Sequence, residues 1–149
     1  MRILGIDPGL ANTGWAVLEN KRYITSGVIK TPSKQVLPAR LQYISSSLAA
    51  TAARHHIQHV AMETLFGSHI RIHRTAELLG AIRLTLWQLG YMVENVSPTQ
   101  AKKAVGAKGH AKKNEVARGV AKAIKTYKKM PHHETDACAI ALAAVQSRA

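Results

Sequence analysis

The stretch Arg2-Ile3-Leu4-Gly5-Ile6-Asp7-Pro8-Gly9 decides the fold. Its apolar residues Ile3, Leu4 and Ile6 stop at Pro8-Gly9, the pattern of a buried strand that runs into a turn. Pro8 biases Asp7 towards extended backbone, and Asp-Pro-Gly suits a β-turn. A carboxylate therefore stands at the carboxyl end of a core strand. Outward from there, Thr13 to Leu18 and Arg22 to Lys30 read as two more strands, with Glu19-Asn20-Lys21 as the turn between them. The first 30 residues are thus expected to form a three-stranded antiparallel meander.

Beyond the meander the pattern changes period. Pro38 suits the first turn of a helix reaching about His55, with Leu41, Ile44, Ser45 and Leu48 as its stripe. His59 to Glu63 encloses Val60-Ala61-Met62 and reads as a short buried strand. Leu78, Leu79, Ile82, Leu86 and Leu89 recur at helical spacing within a helix from Arg71 to Leu89, closed by Gly90. Tyr91 to Val96 is a fifth strand. Ser97 as N-cap and Pro98 at the first helical position open a short helix through Ala104. Gly106 to His110 is a loop, Asn114 to Tyr127 a basic helix, and His133 to Val145 an Ala-rich final helix. Three antiparallel strands followed by α-β-α-β-α predict an α/β fold, a five-stranded mixed sheet flanked by helices. The length of 149 residues fits a single domain, 1–149.

Charge narrows the function. Lys and Arg number 21 against 8 Asp and Glu, for a net charge of +13. A domain so basic attracts polyanions at long range. No segment pairs a polybasic face with an aromatic-rich apolar one, and no apolar run approaches the roughly 20 residues of a membrane span. Nucleic acid is the expected partner and a membrane is not. From the single Cys138 and the short apolar start the chain is expected to be cytoplasmic. Residues 101–130 hold nine Lys and Arg118 against the one acid Glu115. Lys102, Lys103, Lys108, Lys112 and Lys113 surround the Gly106 to His110 loop, a segment suited to following a phosphate backbone.

The few acids carry the chemistry. Asp7 and Glu63 end the first and fourth strands. If those strands are parallel neighbours, both carboxylates project from the carboxyl edge where α/β folds place their sites. His133 and Asp136 are three residues apart in the first turn of the last helix and share a face. Glu134 reads as a capping or solvent residue and His132 as a solvent-facing one. Carboxylate oxygens select hard cations, Mg²⁺ or Mn²⁺, and no Cys or His cluster has zinc-finger spacing. Two such ions can clamp a phosphodiester, with Asp7 as the bridging ligand.

These segments together resemble the RuvC family of Holliday-junction resolvases. Ile3-Leu-Gly-Ile-Asp-Pro-Gly9 with Thr13-Gly14 is similar to the family's opening, Val60-Ala-Met-Glu-Thr-Leu-Phe66 to its second motif, and His133-Glu-Thr-Asp136 through Ala143 to its last. Gln100 to Val105 and Lys113 fall where the family has a basic segment. The resemblance implies an RNase H-like fold, a homodimer, and symmetric nicking of four-way DNA junctions by Mg²⁺-dependent hydrolysis during recombination and repair. A branch-migration helicase would be a further partner. It also implies that Asp7, Glu63, His133 and Asp136 are the catalytic metal ligands. Phe66 would stack on a base near the junction, and Lys102 and Lys113 would lie near the scissile phosphate. Many members of the family carry Asp where His133 stands, and the chain is short for the family around residues 64–72.

Other readings of the same residues stand beside this one. A catalytically idle binding module would need the acids to be structural. A nuclease acting on flaps or RNA would keep the same metal site. A sugar-kinase-like phosphotransferase shares the Asp-x-Gly start but needs two such domains, and no Walker-type loop is present. The helix at Arg71 to Leu89 is apolar over a wide arc, which fits either a dimer contact or a core helix.

Overall fold

The computed structural model describes residues 1–64, 70–125 and 128–149, without the side chains of residues 70–72. Three strands open the chain, β1 (Arg2–Asp7), β2 (Asn12–Glu19) and β3 (Arg22–Lys30), paired antiparallel as a meander. The turn between β2 and β3 places Asn20 at φ 56°, a left-handed conformation that Asn tolerates. Helix α1 (Leu37–Arg54) leads to β4 (His59–Glu63), which pairs parallel to β1. Helix α2 (Ile70–Gln88) leads to β5 (Val93–Val96), parallel to β4. The sheet order is β3-β2-β1-β4-β5, so β1 and β4 lie at its centre. Helices α3 (Pro98–Ala104), α4 (Lys113–Ala123) and α5 (His132–Ser147) complete the chain.

Strand alternation sorts the core into two layers. Leu4, Ile6, Val17, Val60 and Met62 face Ile44 and Leu48 of α1 and Leu78, Ile82 and Leu86 of α2. Ile3, Ala16, Leu18 and Ala61 face the other way, against Ala137, Ile140 and Ala141 of α5, with α3 and α4 beyond. Among the described residues no helix is long and apolar enough to cross a membrane.

Several boundaries differ from those read in the sequence. The fifth strand starts at Val93 rather than Tyr91, because the Tyr91 N–H bonds back to the Leu86 carbonyl at 2.9 Å and closes α2. Leu89 therefore lies past the helix end and is exposed, outside the core. The basic helix stops at Ala123, since Ile124 turns extended and is buried; Tyr127 lies outside the described residues. The last helix includes His132 and runs on to Ser147. Ser97 caps α3 as expected, in a full capping box with Gln100.

Candidate active site

Asp7 and Glu63 owe their meeting to register. In the parallel β1–β4 pair Gly5 is beside Ala61 and Ile6 beside Met62, so the next step brings Asp7 beside Glu63. Both have the same parity as Ile3 and Ala61 and so face the α5 layer.

Helix α5 then supplies the remaining ligand candidates, and small residues let it come close enough. A Cβ on Gly5 would lie 2.2 Å from the Ala137 carbonyl oxygen, and one on Gly14 would lie 2.1 Å from that of His133. Gly14 is the cross-strand partner of Asp7, so the space its missing side chain leaves is filled by the first turn of α5. Alanines 137, 139, 141 and 144 continue the close contact along the helix. As a result His133 Nδ1 lies 3.4 Å from Asp7 Oδ2, across 126 residues of sequence. The His132 and His133 rings lie 3.9 Å apart between centroids, tilted by 39°.

Glu134 is not the capping or solvent residue its position suggested. The N-cap of α5 is Pro131, and the Glu134 carboxylate accepts a short hydrogen bond from the Ser26 hydroxyl of β3. That hydroxyl also meets the Tyr23 hydroxyl at 2.9 Å. The bond ties the first turn of α5 to the far side of the meander. Sequence reasoning had no means to find it, because Ser26 and Glu134 share no local pattern.

The electrostatics are those of acids crowded together. Burial, then the Asp136 charge, pushes the Asp7 carboxyl up to about 7, against a smaller opposing pull from Lys113. Burial, then Asp7 and Asp136, pushes Glu63 up to about 7, opposed by Lys102. Burial also raises Asp136, offset by its histidine and lysine neighbours. Among the described residues no Lys or Arg comes within 4 Å of any of the three, and only His133 makes an ion-pair contact.

A cleft of about 300 Å³ opens beside these acids, lined by Glu63 and Asp136, by Lys102 of α3 and by Lys113 of α4. Lys102 Nζ donates to the Gly109 carbonyl at 2.9 Å and so also holds the 106–110 loop. The loop begins at Gly106, φ 73°, where the Gly106 and Ala107 N–H groups return to the Lys103 and Lys102 carbonyls. Lys103 points elsewhere, into a separate depression lined by Glu94 and Gln146. Lys108 and Lys112 are exposed near the loop, Lys112 at the N-cap of α4. Phe66 lies outside the described residues.

The donor set fits a hard divalent cation. Three carboxylates and an imidazole sit in a partly buried pocket; burial first, and for Asp7 and Glu63 the neighbouring carboxylates second, raise the carboxyl pKa values. Among the described residues no three of these groups already enclose one point as a finished ion cage. Side-chain rotation about the fixed backbone positions would have to complete the coordination.

Known proteins similar to this chain share one family. The family model for crossover junction endodeoxyribonuclease RuvC matches residues 3–144. The Orientia tsutsugamushi (strain Boryong) protein of that name is 35% identical over 150 residues, covering 97% of this chain and 94% of its own. The Rhodopirellula baltica one is 40% identical over 122 residues, 76% of this chain and 68% of its own. The structure of Thermus thermophilus RuvC superposes with a TM-score of 0.84 at 31% identity, covering 99% of this chain and 96% of that one. The same protein in complex with a Holliday junction substrate gives 0.88 at 29% identity, covering 99% and 95%. The mixed five-stranded sheet with its flanking helices is the RNase H-like fold of those structures. Nucleases of this group are metal-dependent. With motifs, fold and acid cluster in agreement, the chain belongs to the RuvC family of crossover junction endodeoxyribonucleases.

Proposed function

We propose that this protein, as one domain over residues 1–149, is a DNA endonuclease that resolves four-way junctions by symmetric, metal-dependent hydrolysis in recombination and repair. The observation that carries the reading is the convergence of Asp7, Glu63, Asp136 and His133 beside a cleft walled by Lys102 and Lys113. The likeness to T. thermophilus RuvC bound to a Holliday junction supports the substrate. Such a substrate would put the enzyme in the cytoplasm, where a branch-migration helicase could deliver junctions to it.

In this reading Asp7, Glu63, Asp136 and His133 would hold Mg²⁺ or Mn²⁺, two ions per site. The metal, when bound, would lower the pKa of an attacking water and offset charge on the phosphate. The residues of the chain do the rest. Lys102 and Lys113 hold non-bridging phosphate oxygens, and the exposed Lys108 and Lys112 follow the backbone on either side. His133, in contact with Asp7, fixes that carboxylate on one side. Water attacks phosphorus and loses a proton to solvent, the bond from phosphorus to the bridging oxygen breaks, that oxygen takes up a proton, and no covalent enzyme intermediate is needed. Phe66, by its match to the family motif, would stack on a base at the junction, and Lys103 would touch DNA only at the margin of the site.

Symmetric cutting needs two sites, hence a homodimer. The outer side of α2 offers a surface for it: Leu84 and Trp87 are 56% and 63% exposed, next to Met92 at 72%. Exposed apolar residues grouped in this way support a protein-protein contact there.

The experiment is a labelled synthetic four-way junction incubated with Mg²⁺, with Mn²⁺ or with EDTA, beside a matched duplex, a flap and an RNA. Paired symmetric nicks that EDTA abolishes support the reading. Tight binding with no cutting in either metal would instead favour an idle binding module. Equal cutting of duplex, flap or RNA would leave a nuclease without junction selectivity.

A further inference from the structure

Arg40 breaks two local rules at once. It lies in the first turn of α1, where the helix dipole disfavours a cation, and that turn contains no acid. It is also buried, at 7% exposure, and among the described residues no carboxylate lies within 4 Å of it. Burying a charge without a counter-ion is costly. A broken rule with no local compensation calls for a functional reason.

The contact that Arg40 does make runs towards Asp7. Its Nε donates to Thr31 Oγ1 at 2.8 Å. The Thr31 hydroxyl, itself buried, passes its own proton into a short bond to the Leu10 carbonyl. The Thr31 N–H donates to the Ala11 carbonyl at 3.2 Å. On the other side Thr13 Oγ1 donates to the Gly9 carbonyl at 2.7 Å. Residues 9–11, the turn that begins straight after Asp7-Pro8, are therefore gripped from two directions. A guanidinium on the accepting side of the Thr31 hydroxyl makes that hydroxyl a stronger donor to Leu10.

We infer that Thr31 and Arg40 are positioning residues for the nuclease site: a strap from α1 through the end of β3 that fixes the turn after Asp7 and, through it, the Asp7 carboxylate. The inference rests on the reading of Asp7 as a catalytic ligand given above. Neither residue faces the cleft, so the strap acts on cutting and leaves DNA binding alone. Misplacing a reacting group by about 1 Å can cost on the order of 100-fold in rate.

The test compares Thr31→Val, which keeps the shape and removes the hydroxyl, with Thr31→Ser, which keeps the hydroxyl. Single-turnover junction cleavage in Mg²⁺, junction affinity in EDTA, thermal melting, and amide hydrogen exchange over residues 8–12 of the metal-free protein are read for each. Thr31→Val is expected to cut roughly 10- to 100-fold more slowly, with unchanged junction affinity and faster exchange in the turn. Thr31→Ser is expected to restore both rate and protection. Cleavage by Thr31→Val at the wild-type rate, or equal slowing by both variants, would overturn the strap, as would a parallel loss of affinity and cutting. Should Thr31→Val fail to fold, Arg40→Lys decides on the same readouts: slowed cutting with intact affinity supports the strap, and wild-type cutting overturns it. A wild-type protein that binds the junction but leaves it whole removes the assignment of the site, and the inference with it.

Discussion

Replacing Asp7 by Asn should make the metal-free protein more stable while ending its activity. The Asp7 carboxyl is pushed from its ordinary 3.8 to about 7 by burial first and by Asp136 second. The folded protein therefore binds more protons than the unfolded chain between those values, and stability falls as pH rises through that window. Above pH 7 the cost is complete. Each tenfold change in proton affinity is about 1.4 kcal/mol, so at pH 8 the ionised Asp7 costs the fold roughly 4 kcal/mol. Asn has nearly the same shape and no charge, and removing Asp7 also relieves Glu63, whose carboxyl it helps to raise. Allowing for loss of the His133 contact, Asp7→Asn should gain about 2–4 kcal/mol, or very roughly 5–15 °C in Tm for a domain of this size. The assay is calorimetric melting in EDTA from pH 4 to 8. The gain should be largest at pH 8, less than half as large at pH 5 and absent near pH 4. Mn²⁺ should then raise the Tm of the wild type and leave the variant unmoved. A variant that melts at or below the wild-type temperature at pH 8, or a gain that is flat from pH 5 to 8, would refute the argument.

Three other outcomes follow from the structure. Gly14→Ala places a Cβ 2.1 Å from the His133 carbonyl oxygen, so α5 must shift outward; melting should show a loss of about 1–3 kcal/mol, with cutting of junctions lost as well. Lys102→Ala and Lys113→Ala should each lower the slope of log affinity against log salt by about 1 in a junction-binding titration, while Lys103→Ala, in its separate depression, should change the slope less. Trp87→Asp should turn a dimer into monomers by sedimentation, with the metal-site residues untouched, and paired nicking should become single nicking.

Much of the fold was legible because its signals are local. Ile3, Leu4 and Ile6 before Pro8-Gly9 fix β1, and Ser97-Pro98 with Gln100 fixes the start of α3. The site was legible where a residue type is costly unless it has work to do: Asp7 and Glu63 each end a buried strand, and parallel register alone brings them together. What the sequence hid depends on contacts between distant segments. Lys102 and Lys103 are neighbours in the chain, yet α3 sends one into the cleft and the other towards Glu94. Glu134 bonds Ser26 on β3, 108 residues away. Leu89 fits the helical stripe but falls past the helix end, where Gly90 reverses the chain. Gly5 and Gly14 look like ordinary strand glycines until α5 is laid across them.

The site also inverts the sign of the molecule that carries it. A net charge of +13 draws a polyanion from a distance, but the cleft sets the Glu63 and Asp136 carboxylates against Lys102 and Lys113, with Asp7 close beside them. A phosphate entering there meets repulsion from Asp7, Glu63 and Asp136, only partly offset by Lys102 and Lys113. Burial first, and mutual repulsion second, already raise the proton affinity of Asp7 and Glu63. Divalent cations held there would relieve both conflicts together, so cation and phosphodiester would each favour binding of the other. By linkage the coupling is reciprocal: DNA brought in by the basic loop should tighten the cation site, and protons should leave the carboxylates as it fills. With no cation bound the fold holds these acids close by glycine and alanine packing and raises their proton affinity, and substrate and cation together would complete the charge balance.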